Sequence, residues 1–145
     1  MKLKAFQSYL RKEKIGLAIL TDQDVNITYF TKVKPSFSYL FISPRSANLY
    51  LTKLDKKPKF KEITVKILDK DWKNKLNKNV KKIGLNYSSI TMAYSKKLKK
   101  LFPKAKFVDI SKQLMELRST KTNEERKCIT KACQITDFAF QELIK

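Results

Sequence analysis

Side chains able to attack, shuttle protons or hold metals are scarce in this chain, which has no histidine and two cysteines in 145 residues. Cys128 and Cys133 lie five apart, and on a helix that step turns their side chains about 140° away from each other. They do not bridge, and they read as two buried or half-buried thiols. Without histidine or a CxxC pair, a zinc site, a Ser-His-Asp triad and a Cys-His pair each lack a necessary part. Two glycines, Gly16 and Gly84, are too few for a GxGxxG fingerprint or a P-loop. Five of the 13 acids draw notice, in two groups. Asp22 and Asp24 flank a turn where either carboxylate can cap a short helix. Glu124, Glu125 and Asp137 read as cap, helix-dipole and surface residues of a C-terminal helix.

Composition narrows the class further. A content of 42% hydrophobic residues in 145 suits one folded domain with an ordinary core. No apolar run reaches membrane-spanning length, and Met1-Lys2-Leu3-Lys4-Ala5-Phe6 is amphipathic without a signal-peptide core. The reading is a cytoplasmic protein with no membrane partner.

The net charge of +20 is regional: residues 53–106 hold 18 lysines against 4 acids, a net +14. Such a field draws nucleic acid non-specifically through counterion release. Only four of the 33 basic residues are arginine (Arg11, Arg45, Arg118, Arg126), so the guanidinium fork that reads bases is nearly missing. We therefore read the charge first as solvated lysine-rich faces, and a stand-alone lysine-rich nucleic-acid-binding module as the alternative function.

The elements follow from periodicity. Leu3, Phe6 and Leu10 share one face, predicting a surface helix over 2–13 that Gly16 ends. Leu17-Ala18-Ile19-Leu20-Thr21 is a strand covered on both faces, followed by a short helix through residues 25–30. Residues 38–43 and 48–52 form a hairpin across Pro44-Arg45-Ser46-Ala47. Strands over 64–68 and 82–86 enclose a lysine-rich helix or turn at 72–80, and residues 55–61, with Pro58, form an exposed loop. Tyr94, Leu98, Leu101 and Phe102 mark an amphipathic helix stopped by Pro103. A strand over 106–110 leads to a short helix through Leu117 capped by Ser111. The class is α/β, a mixed β-sheet flanked by helices.

The chain closes on Leu117-Arg118-Ser119-Thr120-Lys121-Thr122-Asn123-Glu124-Glu125-Arg126. Thr122 and Glu125 make a capping box, so a helix starts near Asn123. Ile129, Ala132, Cys133, Thr136, Phe140 and Leu143 then form a stripe that requires burial against another surface. This helix runs to Lys145 without a stop signal, and we expect the chain to be a piece of a longer one.

These pieces together resemble the N-terminal domain of the creatinase/prolidase metallopeptidases, which include Xaa-Pro dipeptidases and aminopeptidase P. The most specific part is Leu117-Arg118-Ser119-Thr120-Lys121-Thr122 with Glu124-Glu125, similar to the family junction "LR-x-x-K-[ST]-x-x-E", with Ile129, Ala132, Ile135, Asp137 and Ala139-Phe140 after it. Asn26-Ile27-Thr28-Tyr29-Phe30-Thr31 is similar to "N-[IL]-x-Y-[LF]-T-G", Lys82-Ile83-Gly84-Leu85-Asn86 to "[KR]-[IV]-G-[VLF]-[ED]", and Val108-Asp109-Ile110-Ser111 also fits. Two positions depart: Lys32 stands where a glycine is usual, and Asn86 where an acid is.

The resemblance implies a sheet domain with a ribonuclease H-like motif over 1–118, then the junction and first helix of a truncated pita-bread catalytic domain over 119–145. It places catalysis in the missing domain, where two Asp, one His and two Glu hold two divalent metals, Mn, Co or Zn. It implies no catalytic or metal residue and no cofactor in this chain, which is expected to be inactive although its parent is a Xaa-Pro dipeptidase acting on short proline-containing peptides. The domain's implied role is dimerisation and roofing of the partner's active site, with Lys32, Lys34 and Phe37 at the rim. Arg118, Lys121, Thr122 and Glu125 mark the domain junction. Nucleic-acid binding, if any, is non-specific.

Overall fold

A computed structural model describes residues 2–22 and 24–144. Met1 in the amphipathic N-terminus, Gln23 in the turn after the first strand and Lys145 at the chain end lie outside the described residues. The described residues fall into two compact units, one up to Leu114 and one from Met115.

The first unit is built on a six-stranded sheet of order β4-β3-β2-β1-β5-β6. Its strands are β1 (Leu17–Thr21), β2 (Ser38–Ile42), β3 (Ala47–Leu51), β4 (Thr64–Ile67), β5 (Lys82–Leu85) and β6 (Lys106–Asp109). The central β1 runs parallel to β5 and antiparallel to β2; β5 with β6 and β3 with β4 are parallel pairs. The hairpin turn is organised by Ser43, whose hydroxyl oxygen accepts from the amides of Arg45 and Ser46 at 3.2 and 2.9 Å.

Register decides the two faces of the core. Ile19 lies opposite Phe41 and beside Leu85, and Tyr39 opposite Tyr50, so these side chains share one face. That face packs with Leu98 and Phe102 from α3 (Met92–Leu101) and its C-cap, and with Trp72, Leu76 and Val80 from the turn ahead of β5. The alternate residues Ala18, Leu20, Leu40, Ile42, Leu49 and Leu51 are fully buried on the other face. Its cover includes Leu3, Phe6 and Leu10 of α1 (Lys2–Lys12) and Ile27 of α2 (Val25–Thr31). Gly84 is required here, because a Cβ on it would lie 2.7 Å from Cγ2 of Ile110.

Several local expectations are revised. Helix α1 ends at Lys12 and the chain turns through Lys14 at φ 54°, so Lys14, not Gly16, takes the left-handed stop. Gly16 has no positive φ; a Cβ there would lie 2.9 Å from Val80. Of the two readings of residues 72–80, helix or turn, the turn holds through residue 75, bonded from Trp72 N to Asp69 O and from Lys75 N to Trp72 O, and residues 77–80 are irregular. At the start of α4 (Ser111–Ser119) the acceptor is the carboxylate of Asp109, which takes the Ser111 amide at 2.9 Å and the Ser111 hydroxyl as well.

The second unit contains α5 (Asn123–Leu143), opened by the capping box: Thr122 N donates to Glu125 Oε2 at 2.8 Å and Glu125 N to Thr122 Oγ1 at 3.2 Å. The helix buries none of its residues. Within the stripe expected to be buried, Ile129 is 49% and Phe140 63% exposed. Cys128 and Cys133 are exposed free thiols, not buried ones, because they ride on the same uncovered helix.

Candidate functional site

The carboxyl ends of β1 and β5 bring together residues far apart in sequence. Asp24 is the N-cap of α2, and its Oδ1 accepts from the Asn26 backbone amide at 2.9 Å and from Asn26 Nδ2 at 2.6 Å. Its Oδ2 accepts from Asn86 Nδ2 at 2.8 Å and Ser89 Oγ at 2.9 Å. Both carboxylate oxygens are thus engaged and the group is buried, which makes it a clasp between two loops rather than a general base. Of the two acids in this turn, Asp24 takes the cap.

Asp22 belongs to a second cluster. The Tyr94 hydroxyl hydrogen-bonds with Asp22 and with Tyr39, and the Tyr39 phenol is pushed up to about 12 by burial, then by Tyr94 and Asp22. Tyr39 also stacks on Trp72, with ring centroids 5.3 Å apart. Both phenols remain neutral near pH 7 and act as packing and hydrogen-bonding groups.

The loop from Lys32 to Tyr39 leaves the same end of the sheet. Lys32 is the C-cap of α2 at φ 56°, with its amide donating to Thr28 O and its ammonium 5.0 Å from the centre of the Tyr29 ring. Lys34 is exposed. Phe37 is half-buried and edge-on to Tyr39 at 5.3 Å. The loop is tied down by Asp55, which accepts from Ser36 N at 2.9 Å, from Ser36 Oγ at 3.0 Å and from Thr52 Oγ1 at 2.8 Å. The Ser36 amide, with the two hydroxyls, holds the Asp55 carboxyl below its ordinary range. Sequence reasoning does not find Asp55, since nothing local links it to a residue 19 positions away.

At the junction, Lys121 Nζ donates to Ser119 O at 3.1 Å, and Thr122 with Glu125 forms the cap already described. Arg118 keeps a buried Nε with no hydrogen-bond partner among the described residues. Among the described residues no three His, Cys, Asp or Glu side chains gather into a group able to hold a metal ion. The chain has no imidazole to add to such a group.

Residues 2–120 match the model of the creatinase/prolidase N-terminal domain. The chain belongs to that family. A Xaa-Pro dipeptidase from Pyrococcus horikoshii is 27% identical over 148 residues, an alignment covering 99% of this chain and 42% of the relative. The chain thus spans about two-fifths of the length of the curated relative it matches. The crystal structure of the Pyrococcus horikoshii prolidase superposes with a TM-score of 0.82 at 26% identity, over 97% of this chain and 41% of that one. The creatinase/prolidase N-terminal domain of an X-Pro dipeptidase from Streptococcus pyogenes shares the fold, with a TM-score of 0.65 at 20% identity, over 79% of this chain and 97% of that one.

The two positions that depart from the resembled motifs have distinct settings. Lys32 is the left-handed C-cap of α2 at φ 56°, a place that favours glycine. Asn86 lies opposite Asp24, where its amide donates a hydrogen bond that a carboxylate could not. Among the described residues no helix is long and apolar enough to cross a membrane.

Proposed function

We propose that the chain is the noncatalytic N-terminal domain of a metal-dependent Xaa-Pro dipeptidase or aminopeptidase P-like peptidase of the cytoplasm. In this reading it pairs subunits of a homodimer and roofs the active site of the partner, using the loop from Lys32 to Tyr39. Hydrolysis of short proline-containing peptides, and the two divalent metals it needs, belong to a catalytic domain beyond residue 118. The observation that carries the proposal is the contrast within the chain: a family domain over residues 2–120, followed by a well-capped helix that buries no residue. The buried, unspent Nε of Arg118 supports it, since a donor of that kind calls for an acceptor from elsewhere.

The test has two arms. Purified chain incubated with Ala-Pro and manganese or cobalt is expected to release no proline and to give no calorimetric metal binding. Joined in frame to the catalytic domain of a related prolidase, it is expected to restore proline release. There, Lys34→Ala and Phe37→Ala should raise KM with kcat little changed, as rim contacts remote from the metals would. Proline release by the chain alone overturns the proposal, and loop variants with unaltered KM overturn the roofing role.

A further inference from the structure

Part of the lysine excess of residues 53–106 is folded into one surface. Two segments separated by β5 pack on one sheet face: the turn through Trp72, Leu76 and Val80, and α3 through Tyr94, Leu98 and Leu101. Because their apolar residues point at the sheet, their lysines point away from it. Lys96, Lys97, Lys99 and Lys100 are all exposed on α3, a helix without a single acid. Lys70, Lys73 and Lys78 are exposed on the turn, where Asp69 is spent on Lys75 and Asp71 is the remaining exposed acid.

Such a layer repels itself. Lys96 and Lys100 stand one helical turn apart, an arrangement that costs a few tenths of a kcal/mol unless an anion lies over it. Two half-buried aromatic rings packed against the sheet keep their outer parts at the foot of the charges: Trp72 with Lys73 5.9 Å from its centre, and Tyr94 with Lys97 at 5.3 Å. Point charges without guanidinium forks suit a phosphate chain held by its charge alone, and interleaved rings suit unpaired bases. We infer that the outer layer formed by the 70–81 turn and α3 is a docking surface for single-stranded nucleic acid, gripped through its backbone without sequence preference. This surface stands independently of the peptidase reading.

Trp72 is the only tryptophan of the chain and lies in the layer, so its emission reports binding there. The full 145-residue chain is titrated with a single strand of about 20 thymidines across a salt series, alongside a variant carrying Lys96→Gln, Lys97→Gln, Lys99→Gln and Lys100→Gln. A control with the same charge change carries Lys53→Gln, Lys56→Gln, Lys57→Gln and Lys59→Gln in the loop after β3. Circular dichroism checks that each is folded; if the α3 variant is not, Lys70→Gln with Lys73→Gln and Lys78→Gln takes its place. Expected are a change in Trp72 emission, at least tenfold weaker binding by the layer variant, at most about threefold by the control, and a salt slope about 3 units shallower for the α3 variant, from roughly 0.7 per phosphate. Equal weakening by both variants, an unmoved Trp72 emission, or equally tight binding of poly-glutamate overturns the inference.

Discussion

The sheet unit and α5 are built by opposite means. In the sheet unit the decisive bonds join distant residues: Asp24 to Asn86 across 62 positions, Asp55 to Ser36 across 19, and Leu20 to Leu40 across neighbouring strands. In α5 the bonds described at its start join residues three or four apart, Thr122 with Glu125 and Arg126 N with Thr122 O. One unit has converted its apolar surface into a core; the other has completed its backbone and left its apolar side chains exposed. Local signals thus suffice to start and shape a helix, whereas stability comes from faces that find a partner.

The sharpest way to break this comparison is to make equivalent deletions in both units. Leu20→Ala removes a side chain that is 0% exposed on the central strand and should cost about 3–4 kcal/mol in urea unfolding of the sheet unit. Phe140→Ala removes a larger side chain that is 63% exposed and should move the same transition by no more than about 0.5 kcal/mol. Comparable losses at the two sites would mean that α5 belongs to the same cooperative core.

A second, smaller contrast sets the long-range clasp against the local cap. Asn86→Asp turns a 2.8 Å amide-to-carboxylate bond into two facing carboxylates in a buried site, with an expected cost of about 2–3 kcal/mol near pH 7. The cost comes from two like charges held together out of solvent, so removing one of them should remove it. Adding Asp24→Asn to that variant leaves one carboxylate and one amide and should recover most of the loss. Glu125→Ala, which opens one side of the capping box, should cost about 1 kcal/mol of α5 helicity and leave the sheet transition in place. Urea unfolding of the three variants near pH 7, read by tryptophan emission and by circular dichroism, checks all of this.

The same division separates what is legible in the amino-acid order from what is not. The strands, the hairpin and the helices stand out because each is written in a window of a few residues: the apolar run Leu17 to Thr21, the Tyr94-Leu98-Leu101 spacing, the Thr122-Glu125 box. Local errors come from residue preference overruled by context. Gly16 has the preference of a helix stop, but Lys14 takes the left-handed turn while Gly16 makes room for Val80. Ser111 has the preference of a cap, but Asp109 two residues earlier supplies the stronger, charged acceptor. The clasp at Asp24, the tie at Asp55 and the Tyr39-Tyr94-Asp22 cluster are not legible, because their partners meet only once the sheet order is set. The loop proposed as a rim is marked by family resemblance and not by its chemistry.

The smallest expected effect isolates a purely local term inside the sheet unit. Lys32 and Lys14 hold nearly the same left-handed backbone, at φ 56° and 54°. For a residue with a Cβ this conformation costs about 1 kcal/mol, which glycine avoids at some cost in unfolded-state entropy. Lys32 also sets its ammonium 5.0 Å from the Tyr29 ring, a contact worth about 0.5 kcal/mol at an exposed site. Lys14→Gly should therefore raise stability by about 0.5–1 kcal/mol, and Lys32→Gly by roughly half as much, because it gives up the ring contact with the strain. Adding Tyr29→Leu to both should close the gap between them. If the two glycine variants already gain equally with Tyr29 in place, the lysine at the family's glycine position is carried without any compensating contact to that ring.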